Sequence, residues 1–418
     1  MGAQYKKIAV AACLIMSAMI GGSVSFGFFM DPVTTDLGFS RSAFSLYFSI
    51  VTVVGAITLP IYGNLIRKVG SRKCVIFFGI WTGIAMACFS LCESLVAFYV
   101  VAVFVGLGFF GCSYITAPVI VDTWFKEKNG AVMGAAAATG GIVGVIAGFV
   151  FPAIITSLGW QAGYIAMGIM VFVLTVPAGI FLLRSTPQEL GLEPYGAQAA
   201  AAAATVASDG AEQEGMTYAQ ALRSPKLWIS IIAWLMFTIT VSVTQHLSAY
   251  FTSIGFDPAM AGIFMSIISA ALIVTSFLAG AVSDKLGLFK TIVICSLLYV
   301  LSFVLLPVSG MGFALICVAL FGMSVGNTYT SVFAPVVTSS VFGKRDYAAI
   351  WGVVSMVCVL GQAVGTPLWG LSFDLTGGYQ FGMFVAAVLN VVGMVCVMAV
   401  LKRKSTRSAA KTPAAVRS

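Results

Sequence analysis

Windows of about 20 apolar residues, the length a helix needs to cross a ~30 Å hydrocarbon core, recur twelve times in this 418-residue chain. They fall near residues 8–29, 43–66, 74–92, 95–121, 130–156, 162–183, 227–253, 259–282, 290–308, 312–340, 347–371 and 381–401. In hydrocarbon every backbone N–H and C=O must be paired within the protein, so each window is expected to be a helix. The ten-residue alternation that marks a membrane barrel is absent. With 60% hydrophobic and 9% charged residues, the chain has too little polar surface to coat a water-soluble globule of this size.

The charges lie between the windows, and they orient them. With cytoplasmic termini, all but one of the 22 Lys and Arg fall inside, Arg41 alone being outside. The net charge of +8 therefore reports topology and attraction to anionic lipid, not nucleic-acid binding. The expected location is the inner (plasma) membrane, multi-pass, with both termini cytoplasmic. The start MGAQYKK runs into the first window without a small-residue cleavage site, so that window is expected to remain as an anchor. The nine cysteines are odd in number, lack metal-ligand spacing and read as packing residues.

Slid along itself, the chain matches at an offset of 217 residues (38 to 255) in four separated places. Gly38-Phe39 returns as Gly255-Phe256, and GNLIRKVGSRK from Gly63 returns as GAVSDKLGLFK from Gly280. Ala117-Pro118-Val119 returns as Ala334-Pro335-Val336, and Gly144 and Gly148 as Gly361 and Gly365. The offset carries six windows, an even number, so both copies share one orientation. The expected fold is an all-α membrane protein of twelve helices in two six-helix bundles related by a pseudo-twofold axis. Residues 1–183 form the first bundle, 184–226 a cytoplasmic, partly disordered tether, 227–401 the second bundle and 402–418 a basic tail.

These residues resemble the major facilitator superfamily over nearly the whole chain. That family carries a Gly-x-Leu-x-Asp-x-x-Gly-Arg-Lys loop between helices 2 and 3, repeated loosely between helices 8 and 9. Gly280, Asp284, Lys285 and Gly287 fit it, whereas the first copy, from Gly63, has Arg67 at the Asp position and Ser71 at the first basic one. The resemblance makes Gly63, Arg67, Gly280 and Asp284 gating candidates. SFGFFMDPVTTDLGFSRSAFS, WFKEKNGAVMGAAAATGG and TPQELGLEP followed by ALRSPKLW look like the monocarboxylate-porter and oxalate:formate-antiporter branches. They imply transport of a small organic acid. Two basic residues common there are absent: Ser276 and Val354 stand where helices 8 and 11 of those branches hold an Arg and a Lys.

No acid or base falls at mid-membrane by position, which leaves His246, the single histidine, as the titratable group inside a span. Thr238, Ser242, His246 and Tyr250 are spaced four apart, as on one helix face, and the resemblance turns that face toward a central cavity. An imidazole there can take up a proton beside a bound anion, or can simply be hydrogen-bonded between helices. Asn327, Tyr329 and Thr330 in the tenth window, Ser113 and Tyr114 in the fourth, and Gln362 are further substrate-binding candidates. They serve equally as interhelical polar contacts. The glycines of the fifth window suit close helix packing.

The function expected is secondary active transport by alternating access of a small, monocarboxylate-like organic acid, with protons as candidate co-substrate and the protein acting as a monomer. Alternatives are a facilitator or exporter of a larger apolar or aromatic compound, and a membrane sensor. No enzyme constellation, cofactor loop or metal pattern is visible.

Overall fold

A computed structural model describes residues 2–127, 129–197, 215–307, 312–328, 332–343 and 345–409. Tyr329 and Thr330, Lys128 and Lys344, the middle of the tether (198–214) and the end of the tail (410–418) lie outside them.

Ten described helices are long and apolar enough to cross a membrane. One of them, Gly130–Leu182, has 53 residues and contains Gly159 at φ 86°, ψ 165°, a conformation no helix holds. At 1.5 Å per residue it is far too long for one bilayer, so it counts as two spans. The shorter apolar helix Phe313–Thr328 supplies the remaining one. The spans are α1 (Ala3–Leu37), α2 (Arg41–Val69), α3 (Ser71–Leu91), α4 (Leu95–Trp124), α5 (129–158) and α6 (160–182). The second set is α7 (225–253), α8 (Pro258–Leu286), α9 (Leu288–Leu305), α10 (Phe313–Thr328, with Ala334–Phe342), α11 (Tyr347–Thr376) and α12 (Gln380–Ala409).

The repeat is visible in the backbone. Helices Arg41–Val69 and Pro258–Leu286 are each 29 residues, and Ser71–Cys88 and Leu288–Leu305 each 18, at the same 217-residue offset. The turns between them need left-handed φ, and glycine supplies it at matching positions: Gly38 (67°) with Gly255 (98°), Gly70 (92°) with Gly287 (80°). The first helix of each half, which the repeat pairs, is interrupted. A 3-10 segment breaks α1 at Phe26–Phe29 and α7 at Ser242–Gln245. The spacing of four from Thr238 to Tyr250 therefore does not run along one continuous α-helical face, because the 3-10 turn winds three residues per turn.

Packing divides the chain into two compact units. The first comprises Met1–Gly210 with Ser242–Ile273 and Thr366–Tyr379. Its end near the N-terminus is a core of Ile8, Ala12, Ile15, Ile120, Trp124 and Leu183. Its distal end, where α1 finishes and α2 begins, is aromatic: Phe29 stacks on Tyr164 at 3.8 Å and Phe44 on Tyr47 at 4.6 Å. Glycine lets backbones meet in three places at this end. A Cβ on Gly27 of α1 would sit 3.1 Å from the Gln245 carbonyl of α7, and one on Gly370 of α11 2.6 Å from the Ser42 amide of α2. A Cβ on Gly262 of α8 would overlap the Gly148 carbonyl of α5.

The second unit is Ala211–Val241, Val274–Gly365 and Gln380–Ser418. There Thr240 bonds Asn390 of α12 (3.4 Å), and a Cβ on Gly361 would overlap the Thr238 hydroxyl. The described ends of the tether are docked. Tyr195 N–H donates to the Trp124 carbonyl at 2.8 Å and its ring meets Tyr5 at 5.5 Å. At the other end Met216 N–H donates to Phe342 O, and Thr217 with Gln220 forms a capping box for Tyr218–Arg223. Around both units, large apolar side chains such as Ile57 and Phe181 in the first and Leu297 and Val388 in the second remain exposed, a surface for hydrocarbon rather than water.

Candidate functional site

Arg41 begins α2, one residue after Ser40, whose side chain accepts the Ala43 amide as N-cap. Asp374, near the end of α11, accepts the Arg41 and Ser42 amides at 3.1 and 2.9 Å on its two oxygens, so a carboxylate sits at the positive end of the α2 dipole. The Arg41 side chain turns inward. It is the one charged side chain among the described residues that is buried, at 9% exposure. Its Nη2 donates to Asp31 Oδ1 at 2.5 Å, and its Nη1 donates to the Tyr379 hydroxyl at 2.9 Å and to the Ala249 carbonyl at 3.4 Å. The guanidinium also lies over Phe373, 3.8 Å from the ring centroid.

His246 completes the arrangement. Its Nε2 is 2.8 Å from the Thr366 carbonyl and its Nδ1 3.1 Å from the Tyr379 hydroxyl. A carbonyl only accepts, so Nε2 carries the proton and Nδ1 accepts from Tyr379. A directed chain results: Tyr379 O–H donates to His246, and the same oxygen accepts from Arg41. Burial pushes the Tyr379 phenol up to about 12, with Arg41 opposing, so it stays a donor at neutral pH. His246 is wholly buried and both of its nitrogens are engaged. These bonds are those of the neutral ring. A proton on Nδ1 would require the Tyr379 O–H to turn away and would set a second cation near the Arg41 guanidinium.

The other candidates divide between the units. Ser242 and Tyr250, both buried, lie with His246 in the first unit. Thr238, Asn327 and Gln362 lie in the second. The Thr238 hydroxyl bonds the Trp234 carbonyl of its own helix at 2.8 Å. The backbone of Ser113 and Tyr114 forms a π-turn, Phe110–Tyr114, in α4, but their side chains, like those of Arg67 and Asp284, lie outside the description, as does the environment of Gly280. Gly63 packs loosely, with Ile115 3.6 Å from a hypothetical Cβ.

Three residues carry more than their sequence suggests. Arg41 counts in the sequence only as the exception to a charge rule. Gln245 bridges to the Ser23 carbonyl at 3.2 Å and keeps its own side-chain oxygen buried without a partner among the described residues. Arg72 donates to the Gly179 and Ile180 carbonyls at 3.2 and 2.8 Å, capping the end of α6 beside a 750 Å³ cavity that Lys68, Ser71, Ser185 and Glu189 also line. Among the described residues no group of His, Cys, Asp and Glu could hold a metal ion.

Two interrupted helices at matching positions of a repeat, and a buried polar chain beside them, describe a multi-pass membrane transporter. The chain belongs to the major facilitator superfamily, whose sequence profile matches residues 10–366. It is 24% identical over 404 residues to the oxalate:formate antiporter of Oxalobacter formigenes, covering 92% of this chain and 91% of that protein. It is 22% identical to monocarboxylate transporter 13 of Rattus norvegicus, over 92% and 86% of the two chains. Among solved structures it superposes on a bacterial homologue of the human lysosomal transporter Spinster in an inward-facing, occupied conformation (TM-score 0.73, 14% identity, 96% and 98% covered). It also superposes on a nucleoside transporter (TM-score 0.75, 13% identity, 95% and 99% covered). At these identities the solved structures show the fold alone.

Proposed function

We propose that the chain is a secondary active transporter of a small organic acid, working by alternating access, with the proton as co-substrate and His246 as the group that carries it. The observation that supports this most is the chain Thr366–His246–Tyr379–Arg41–Asp31, which ties the distal ends of α1, α2, α7 and α11 through one neutral imidazole. Protonating that imidazole removes the acceptor that Tyr379 needs and sets a second cation beside Arg41, so proton uptake opposes the tied state. An anion arriving with the proton restores neutrality, which is how a site without a permanent net charge carries an acid. The two relatives' names, oxalate:formate antiporter and monocarboxylate transporter, agree with that substrate class. Ser242 and Tyr250 belong with His246 in this site, and Asn327, Gln362, Thr238, Ser113, Tyr114 and Tyr329 remain candidate substrate contacts.

Counterflow in proteoliposomes with labelled lactate, formate, oxalate and benzoate tests the substrate class. Exchange of one or more of the short-chain acids is the expected result. Exchange of benzoate alone favours the carrier of larger aromatic compounds, and exchange of none removes the organic-acid reading.

The distal end is taken to face outward and both termini the cytoplasm of a cell inner membrane, on the strength of the Lys/Arg distribution. A reporter fused after Ser418 is expected to be active only when cytoplasmic. Activity confined to the periplasm contradicts this orientation.

A further inference from the structure

Arg41 is a buried guanidinium whose bonds leave one edge half used. Nη1 is taken up by Tyr379 and Ala249, and Nη2 holds a single oxygen of Asp31, while Nε has no acceptor among the described residues. The Nε/Nη2 edge can grip a carboxylate through two parallel bonds, and Asp31 uses only one of them. Asp31 is also the member of the pair with an escape to water, its side chain being 32% exposed against 10% for Arg41. Asp374 does not compete for this edge, because both of its oxygens hold backbone amides of α2. The guanidinium itself is held in place from behind by Phe373 and Tyr379.

We propose that Arg41 reads the carboxylate of the transported acid: when the distal end opens, the substrate takes the Nε/Nη2 edge with two bonds, displaces Asp31 into the aqueous mouth, and so undoes the ion pair that ties α1 to α2. Asp31 is then an internal stand-in for the substrate, holding Arg41 in register while the site is empty. Selection follows from geometry. A planar carboxylate satisfies the fork, whereas a neutral or cationic compound cannot replace Asp31, which then stays on Arg41. The inference rests on the organic-acid reading above and names the residue that enforces it.

The test exploits the opposite signs expected for the two members of one ion pair. With purified full-length protein in proteoliposomes, KM and exchange rate are measured for whichever of lactate, formate or oxalate the unaltered protein carries. Arg41→Gln and Arg41→Lys are expected to raise KM by about tenfold or more, since a lost bidentate grip is worth at least that factor. Asp31→Asn removes the competitor but keeps the reader, so its KM is expected to fall. If Arg41 and Asp31 merely hold the helices together, both substitutions break the same pair and shift KM in the same direction, which overturns the inference. So does an unchanged KM in the Arg41 variants. Should the Arg41 variants fail to fold, the Asp31→Asn arm decides alone: a lower KM upholds the inference and an equal or higher one overturns it. Failure of the unaltered protein to carry any carboxylate is a different outcome, which removes the organic-acid reading and this inference together.

Discussion

Gly370→Ala is expected to cost stability and transport together, whereas Gly352→Ala on the same helix costs neither. At Gly370 the added methyl lands 2.6 Å from the Ser42 amide and 2.7 Å from the Arg41 carbonyl, both backbone atoms that cannot rotate away. Helix α2 must retreat from α11, and the Asp374 bonds to the Arg41 and Ser42 amides lengthen with it. Overpacking of this kind costs about 1–3 kcal/mol, to which the weakened charge-assisted bonds add. At Gly352 nothing lies within 4 Å, and replacing a helical Gly by Ala gains up to ~1 kcal/mol. Apparent melting temperatures of the purified variants rank them, and Gly262→Ala, against the Gly148 carbonyl, is expected to behave like Gly370→Ala. Equal melting temperatures for Gly370→Ala and Gly352→Ala mean that the close contact of α2 and α11 does not form.

His246 gives the second large effect, and two substitutions separate its roles. His246→Ala removes two buried hydrogen bonds at once and takes from the Tyr379 hydroxyl the acceptor for its proton. The loss of that acceptor costs about 1–3 kcal/mol, read as a marked drop in apparent melting temperature. His246→Gln keeps one donor and one acceptor but cannot take a proton. It is expected to retain much of the stability and to keep substrate exchange, while losing accumulation driven by a pH gradient. Full proton-driven accumulation by His246→Gln makes the residue structural and places coupling elsewhere.

The spans were legible because lipid leaves the backbone no choice. The window expected at 43–66 is observed as Arg41–Val69, and its repeat mate expected at 259–282 as Pro258–Leu286. Most of the added residues are polar helix ends such as Arg41, Ser42, Lys68 and Lys285, which hydropathy cannot register. The offset of 217 was equally legible, since positive-φ turns accept glycine and little else. Two features were not. The break in α7 falls within TVSVTQHL, which holds neither Gly nor Pro, so no local signal marks it. The partners of Arg41 lie 10 residues away at Asp31, 208 at Ala249 and 338 at Tyr379, and only the tertiary fold brings them together. A usable hint was present nonetheless. An arginine that defies an otherwise complete charge rule needs a reason, and acids at both 31 and 374 were available to supply it.

The stripe from Thr238 to Tyr250 illustrates the same limit. Spacing by four assumes an unbroken α-helix, and the 3-10 turn at Ser242–Gln245 leaves Thr238 against Gly361 in one unit and His246 bonded to Thr366 and Tyr379 in the other. Composition and periodicity report what a helix buries. They do not report where it stops being one.

Coupling between acid and proton is tested most directly by carboxylate flux and internal pH followed together in the same proteoliposomes, with membrane current recorded in parallel. A monocarboxylate entering down an imposed gradient is expected to bring about one proton with it and no net charge. The interior acidifies in step with uptake, and both signals vanish in His246→Gln under net-flux conditions. Uptake of the carboxylate with an accompanying current and no change of internal pH contradicts this coupling.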